Sequence, residues 1–261
     1  MNAFIDSHTM SVVEFNVRDI ASMHIEISFD EVKLETLRDR LTSIERGHFM
    51  SGTVTTDTLL QFVDRHVPSL RLAGKGFEIS VYRDSIKLTI STQVENMPRM
   101  SMSETSISQE ELFAGDNLQK INVDFSAIVG HVLGRLGIGY DATKFTIRIN
   151  LRKSGVRYHA NVFGKEAIPT LQSLVGESAK IQSVNPEFKT REVFLGRQAE
   201  AYYDLHTQKP PHGSRNDKVV FFGWVSFENM GVEDLNMILD AYLKRVNDIV
   251  EKLAGGLETN E

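Results

Sequence analysis

The sequence predicts an α+β fold: antiparallel sheet backed by helices. Three observations lead there. Several short segments alternate apolar and polar residues, as half-buried strands require. Two long segments instead repeat apolar residues with the helical period. The order strand, helix, three strands, helix also occurs twice along the 261 residues, and such internal repetition governs the architecture. Two β-α-β-β-β-α units are therefore expected, residues 1–140 and 141–261. Joined edge to edge, they would form one curved, saddle-like sheet with the helices stacked behind it, as in TBP-like and helix-grip folds.

In the first unit, Met23, Ile25, Ile27 and Phe29 mark one face of the opening strand. Asp30 is suited to receive the free amides of a helix start, and Leu34, Leu37, Leu41 and Ile44 line one side of that helix. A short capped helix is expected from Asp57 to His66, ended by Pro68. Leu70–Leu72, Phe77–Tyr82 and Ile86–Ile90 read as strands, the last two joined at Arg83-Asp84-Ser85 into a hairpin. Val94–Leu118, rich in Ser, Met and Glu, reads as a long mobile loop holding the solvated acidic pair Glu110-Glu111. A helix from about Asp124 to Leu136 carries Phe125, Ile128, Val129, Val132, Leu133 and Leu136, and Gly137 ends it. Gly130 and Gly134 in this helix are expected to permit close approach to the sheet.

The order then restarts. Phe145, Ile147, Ile149 and Leu151 alternate with Lys144, Thr146, Arg148 and Asn150. Val156, Tyr158, Ala160 and Val162 suggest a further strand, and a helix with Pro169 in its first turn stops at Gly176. Strands are expected around Ala179–Val184, Arg191–Leu205 and Val219–Phe227, with His206–Asp217 as an extended hairpin loop. The last helix, Leu235 to Leu253, holds its apolar stripe throughout, with Glu233 and Asp234 near its positive end.

Composition narrows function by exclusion. Apolar residues at 41% and charged residues at 25% are ordinary for a soluble globular protein. The lack of cysteine removes disulfides, zinc-thiolate sites, iron–sulfur clusters and thiol nucleophiles, and fits a cytoplasmic location. A net charge of −6 opposes broad non-specific nucleic-acid binding. The start, Met1-Asn2-Ala3-Phe4-Ile5-Asp6, carries neither a basic nor an apolar run, so no secretory signal is expected. No apolar run is long enough to cross a membrane, and no membrane partner is expected.

Motifs for catalysis are missing. Gly137-Ile138-Gly139-Tyr140-Asp141-Ala142 imitates a dinucleotide fingerprint but closes a helix and enters a strand, the reverse of what that site needs. Gly74-Lys75-Gly76 lacks the spacing of a phosphate loop. His206 and His212 flank Lys209-Pro210-Pro211 without an obvious carboxylate partner. No catalytic residue, metal ligand or cofactor is assigned.

Two features bear on binding. Lys144, Arg148 and Arg152 recur on one face of a strand, with Lys153 and Arg157 close in sequence. Such a row suits phosphates or an acidic partner, or else forms a solvated face paired with acidic neighbours. Val219–Phe227 is apolar on both sides, and Trp224 shares a face with Phe222. Helices cover only one side of such a sheet, so the other side must meet the opposite half, a second subunit or a ligand. Tyr202, flanked by Glu200 and Asp204, extends this into an aromatic and acidic surface.

Three stretches together resemble an uncharacterised family of proteins of about this length, distributed sporadically through bacteria and archaea. They are Arg18–Ile27, then Leu136-Gly137-Ile138-Gly139-Tyr140 leading into Phe145–Asn150, and the closing Leu235–Leu253 helix after a strong strand. The resemblance implies a fold and a prokaryotic origin, and no reaction. The expected function is a non-enzymatic binding or regulatory protein that meets its partner across the sheet or where the two units join. A protein partner or self-association as a homodimer is favoured. The alternatives are a nucleic-acid binder using the basic strand, and a small-ligand receptor or enzyme with a cleft near Trp224.

Overall fold

Side chains alternate along a strand, so each strand of a one-sided sheet must give one row to the helices and the other to whatever lies opposite. The computed structural model describes residues 14–41, 55–57, 70–92, 107–154, 186–208, 218–229 and 232–255. Its strands are β1 (Ile20–Ser28), β2 (Thr55–Asp57), β3 (Leu70–Gly74), β4 (Phe77–Val81), β5 (Ser85–Ser91), β6 (Lys144–Ser154), β7 (Glu187–Phe194), β8 (Arg197–Gln208) and β9 (Lys218–Glu228). The helices are α1 (Leu34–Leu41), α2 (Gln109–Leu112), α3 (Gly115–Leu136) and α4 (Leu235–Gly255). Among the described residues the strands form one sheet in the order β2-β3-β4-β5-β1-β6-β9-β8-β7, every neighbouring pair antiparallel. The fold is α+β.

The sheet's centre is the pairing of β1 with β6, which sets Ile25 opposite Ile147 and Ile27 opposite Phe145. Met23, Ile25, Ile27, Ile147, Ile149 and Val225 are fully buried on the helix side, in one core with the stripes of α3 and α4. Burying such a side chain stabilises by roughly 1.5–3 kcal/mol. Tyr242 of α4 meets Phe221 of β9 edge-on at 6.4 Å. Beside it, Gly223 leaves the room α4 needs: a Cβ there would strike the Tyr242 hydroxyl and come within 2.6 Å of the Tyr202 carbonyl oxygen. α4 starts at a cap in which the Asp234 carboxylate accepts from the Asn236 and Met237 amides at 2.9 and 3.3 Å. α3 stops at Gly137, whose φ of 72° is left-handed and lets the Ile138 amide return to the Leu133 carbonyl at 3.0 Å.

Several expectations are corrected. α1 begins at Leu34 instead of just after Asp30, because the intervening backbone is tied to the β4–β5 turn. The Phe29 and Val32 amides donate to the Asp84 and Arg83 carbonyls at 2.9 and 2.8 Å, and Arg83 pairs with Glu31 at 2.9 Å. Asp57 closes β2 opposite Arg71 instead of starting a helix; the rest of that expected helix lies outside the described residues. Of the loop expected over Val94–Leu118, residues 94–106 lie outside the described residues, while the rest forms α2 and the first turn of α3. Ser108 and Glu111 form a reciprocal cap on α2, and Leu112, Phe113 and Leu118 are buried. Glu110 and Glu111 are both exposed, as a solvated pair should be, but Glu111 also closes the cap and Glu110 pairs with Arg18 at 2.8 Å.

Gly130 and Gly134 sit on the exposed side of α3, and nothing lies within 4 Å of a Cβ built at Gly134. The sheet side is taken by Phe125, Ile128, Val129 and Val132, so these glycines do not mediate helix–sheet approach. The segment Arg191–Leu205 is two strands, not one. It reverses at Leu195 and Gly196, both left-handed at φ 50° and 75°, which is the geometry a two-residue hairpin turn demands. The strands expected at Val156–Val162 and Ala179–Val184, the helix at Pro169, Arg157 and His212 lie outside the described residues.

Candidate binding face

The even-numbered side chains of β6, β8 and β9 point away from the helix layer, and register decides their neighbours. Arg148 lies opposite Trp224, which lies opposite Tyr202, which lies opposite Lys189. One row along, Asn150, Phe222, Asp204 and Glu187 align, and in the other direction Thr146, Ser226, Glu200 and Arg191. The face is striped along the strands: cations on β6, aromatics on β9, carboxylates on β8 with Tyr202 between them.

The aromatic stripe is held by ring contacts. Tyr202 and Trp224 stack at 6.2 Å with planes 18° apart, and Phe222 meets Tyr202 edge-on at 6.2 Å. All three are half-buried. The Tyr202 hydroxyl donates to Glu187 at 2.9 Å. Lost hydration, that hydrogen bond and the nearby charge of Asp204 push the hydroxyl up to about 12.

The structure brings most of the sequence-derived site together. Lys144, Arg148 and Arg152 share this face with Tyr202, Phe222 and Trp224, while Arg157 lies outside the described residues. Lys144 pairs with Glu228 at 3.1 Å and Arg148 with Glu26 at 3.5 Å, and Glu26 also meets Lys87 at 3.3 Å. Arg152 is exposed and makes no ion pair with a described residue. Lys153 turns to the other side and meets Asp19 at 3.4 Å. His206 does have a carboxylate beside it, Asp204 at 3.4 Å, contrary to the expectation from spacing.

The chemistry available here is recognition by stacking, charge and hydrogen bonding. The Thr146 and Ser226 hydroxyls bond each other at 2.9 Å and are buried. Among the described residues no group of three His, Asp or Glu side chains converges as a metal ion requires, and no helix is long and apolar enough to cross a membrane. A groove of about 450 Å³ opens at one end of the face between Lys144, Arg191, Arg197, Glu200 and Glu228; Trp224 does not line it.

Glu26, Lys189 and Arg191 belong to this face and were not singled out from sequence. Only strand pairing places them there, since Glu26 and Arg148 are 122 positions apart. On the helix side, spacing likewise missed a polar cluster. The Tyr203 hydroxyl donates to Glu192, which pairs with Arg245 of α4 at 2.5 Å. Burial first, then the bond to Glu192, pushes the Tyr203 hydroxyl well above its ordinary range, and burial does the same to Tyr242.

Comparison of the chain with models of protein families, with curated proteins and with solved structures finds no match.

Proposed function

We propose that this chain is a binding protein, not a catalyst, and that its recognition surface is the open face of β6, β9 and β8. The observation that carries this reading is the Tyr202–Trp224–Phe222 cluster, half-buried on a side of the sheet where no described helix packs. Packing among the described elements does not call for aromatics there. Interfaces favour such residues, which supply contact area at little cost in rotamer entropy. The partner is a protein surface, and the charged stripes on either side set its orientation.

The same reading takes residues 1–140 and 141–261 as copies of one unit in a TBP-like saddle. In its support, the sheet runs outward from the central pair in the same order for four strands, β1-β5-β4-β3 on one side and β6-β9-β8-β7 on the other, with the short β2 added at the edge of the first. A long helix follows the last strand of each half, α3 after β5 and α4 after β9. The nucleic-acid reading has less support, because Glu26, Glu200, Asp204 and Glu228 set carboxylates among the cations of the same face, where they would repel phosphates. The test is recovery of native complexes with wild-type protein and with Trp224→Ala/Tyr202→Ala, both checked for folding by circular dichroism. Loss of the partner in the double variant is expected. Identical complexes from both proteins would remove the face from consideration.

A further inference from the structure

We infer that the occupant of this face is a second copy of the same chain, docked face to face about a two-fold axis that runs along β9. The inference rests on the reading of the open face as the recognition surface and names its partner. The stripes carry the argument. In the strand order β6-β9-β8, cations lie on one flank of the aromatics and carboxylates on the other. A two-fold axis along the middle strand, in the plane between two copies, turns the β6 flank of one copy onto the β8 flank of the other. A surface with opposite charges on either side of its own centre line is complementary to itself, which is the condition for an isologous dimer.

Register makes the match finer. Opposite β9, the cations occupy the rows of Val220, Trp224 and Glu228, as Arg152, Arg148 and Lys144. The carboxylates of Asp204 and Glu200 occupy the rows between, those of Phe222 and Ser226. Turned over, the two sets interleave: Arg148 of one copy falls between Glu200 and Asp204 of the other. One strand further out, β7 of one copy comes over β1 of the other and brings Arg191 towards Glu26. The existing pairs Lys144–Glu228 and Arg191–Glu200 are largely exposed, and in Arg148–Glu26 the guanidinium is half exposed, so re-pairing them costs little. Trp224 lies beside the axis and meets its own counterpart, which buries the aromatic stripe. Strands β6 and β9, eleven residues long, run about 35 Å, and the five strands from β1 to β7 span about 24 Å. That is about 800 Å² of plan area per copy, similar to the roughly 800 Å² per partner of a standard interface.

The experiment is sedimentation velocity over a dilution series of the full chain, read beside the emission of Trp224, the sole tryptophan. Dimers should form, with emission shifting to the blue as they do. Arg148→Glu alone sets acid against acid, and Asp204→Arg alone sets base against base; each should weaken dimerisation about tenfold or more. Mixed in equal amounts, the two single variants should associate with each other, because both contacts are then restored. Circular dichroism checks that each variant is folded. Wild-type protein that stays monomeric at its highest soluble concentration overturns the inference, as does a monomer that takes up single-stranded oligonucleotide through this face. A mixture that fails to associate also overturns it. If the monomer captures a different protein in a Trp224-dependent way, the self-docking is wrong and the open-face reading stands. If wild-type dimerises and no face variant changes that, or any captured partner, both are wrong.

Discussion

Outward from the helix layer, β1 and β5 present Ser22, His24, Glu26, Lys87, Thr89 and Ser91, whereas β9 and β8 present Phe222, Trp224, Ser226, Glu200, Tyr202 and Asp204. On the helix side the contrast disappears: Met23, Ile25, Ile86 and Leu88 in one half answer Ile147, Phe221, Val225 and Ala201 in the other, all fully buried. Both halves must cover a helix, so both give it apolar rows. No described helix packs on the opposite rows, and there β1 and β5 are polar while β9 and β8 add aromatic rings to polar and charged side chains. The difference separates rows whose composition the helix-side core dictates from rows that no described helix constrains.

Core truncation probes the side on which the halves agree, and has the largest expected effect. Ile25→Ala and Ile147→Ala remove facing side chains across the central strand pair, and each should cost about 2–5 kcal/mol in urea unfolding. Because the residues touch one core, the double variant should depart from the sum. A much smaller loss for one of them would mean that the two halves are not packed equally.

Next comes a contact peculiar to the second half. Gly223→Ala pushes a methyl group against Tyr242 and the Tyr202 backbone, and should cost about 1–3 kcal/mol. The strand next to β1 on the other side of the sheet, β5, has no glycine, so Leu88→Ala there should leave a cavity instead of a clash. Similar structural consequences for both variants, seen by hydrogen exchange in α4 and α3, would remove the distinction.

Alkaline pH should separate the halves as well. Tyr202, Tyr203 and Tyr242 are all raised above the ordinary phenol value, and all lie in the second half. A raised folded-state pKa contributes stability that is complete below the unfolded value, about 10, and is lost as pH rises through the folded value. Stability should therefore fall above about pH 10, with hydrogen exchange rising first around β8 and α4. Tyr203→Phe should shift the onset, and unchanged alkaline unfolding in that variant would contradict the assignment.

The smallest expected effect is a gain. α3 carries Gly130 and Gly134 in its interior, whereas α4 has no glycine before its last residue. Gly134→Ala meets open space and should stabilise by about 0.5–1 kcal/mol, since alanine forfeits less backbone entropy in a helix. A loss of stability would reveal a contact on that face.

Much of the fold was legible wherever a local period or a local backbone conformation carries the information. The stripe of α4 and the alternation Phe145-Ile147-Ile149-Leu151 both match the observed burial. Gly137 stops α3 as its position suggested. Errors came where a distant partner overrides the local signal. Asp30 is a good helix cap in isolation, yet the Arg83 and Asp84 carbonyls hold the adjoining backbone and delay the helix to Leu34. The polar run around α2 and the start of α3 hid Leu112, Phe113 and Leu118, three anchors too sparse to show a period. Leu195-Gly196 went unread because a turn that needs a left-handed leucine has no strong sequence mark.

The candidate face divides along the same line. That Lys144, Arg148 and Arg152 share one side of β6, and Phe222 and Trp224 one side of β9, follows from the two-residue repeat of a strand, a property of the chain alone. That Tyr202 stacks on Trp224, that Glu26 reaches Arg148, and that carboxylates flank the aromatics opposite the cations depends on the order in which strands pair. Pairing is settled by burial of the helix-facing rows over long loops, so it exists only once the whole core has assembled.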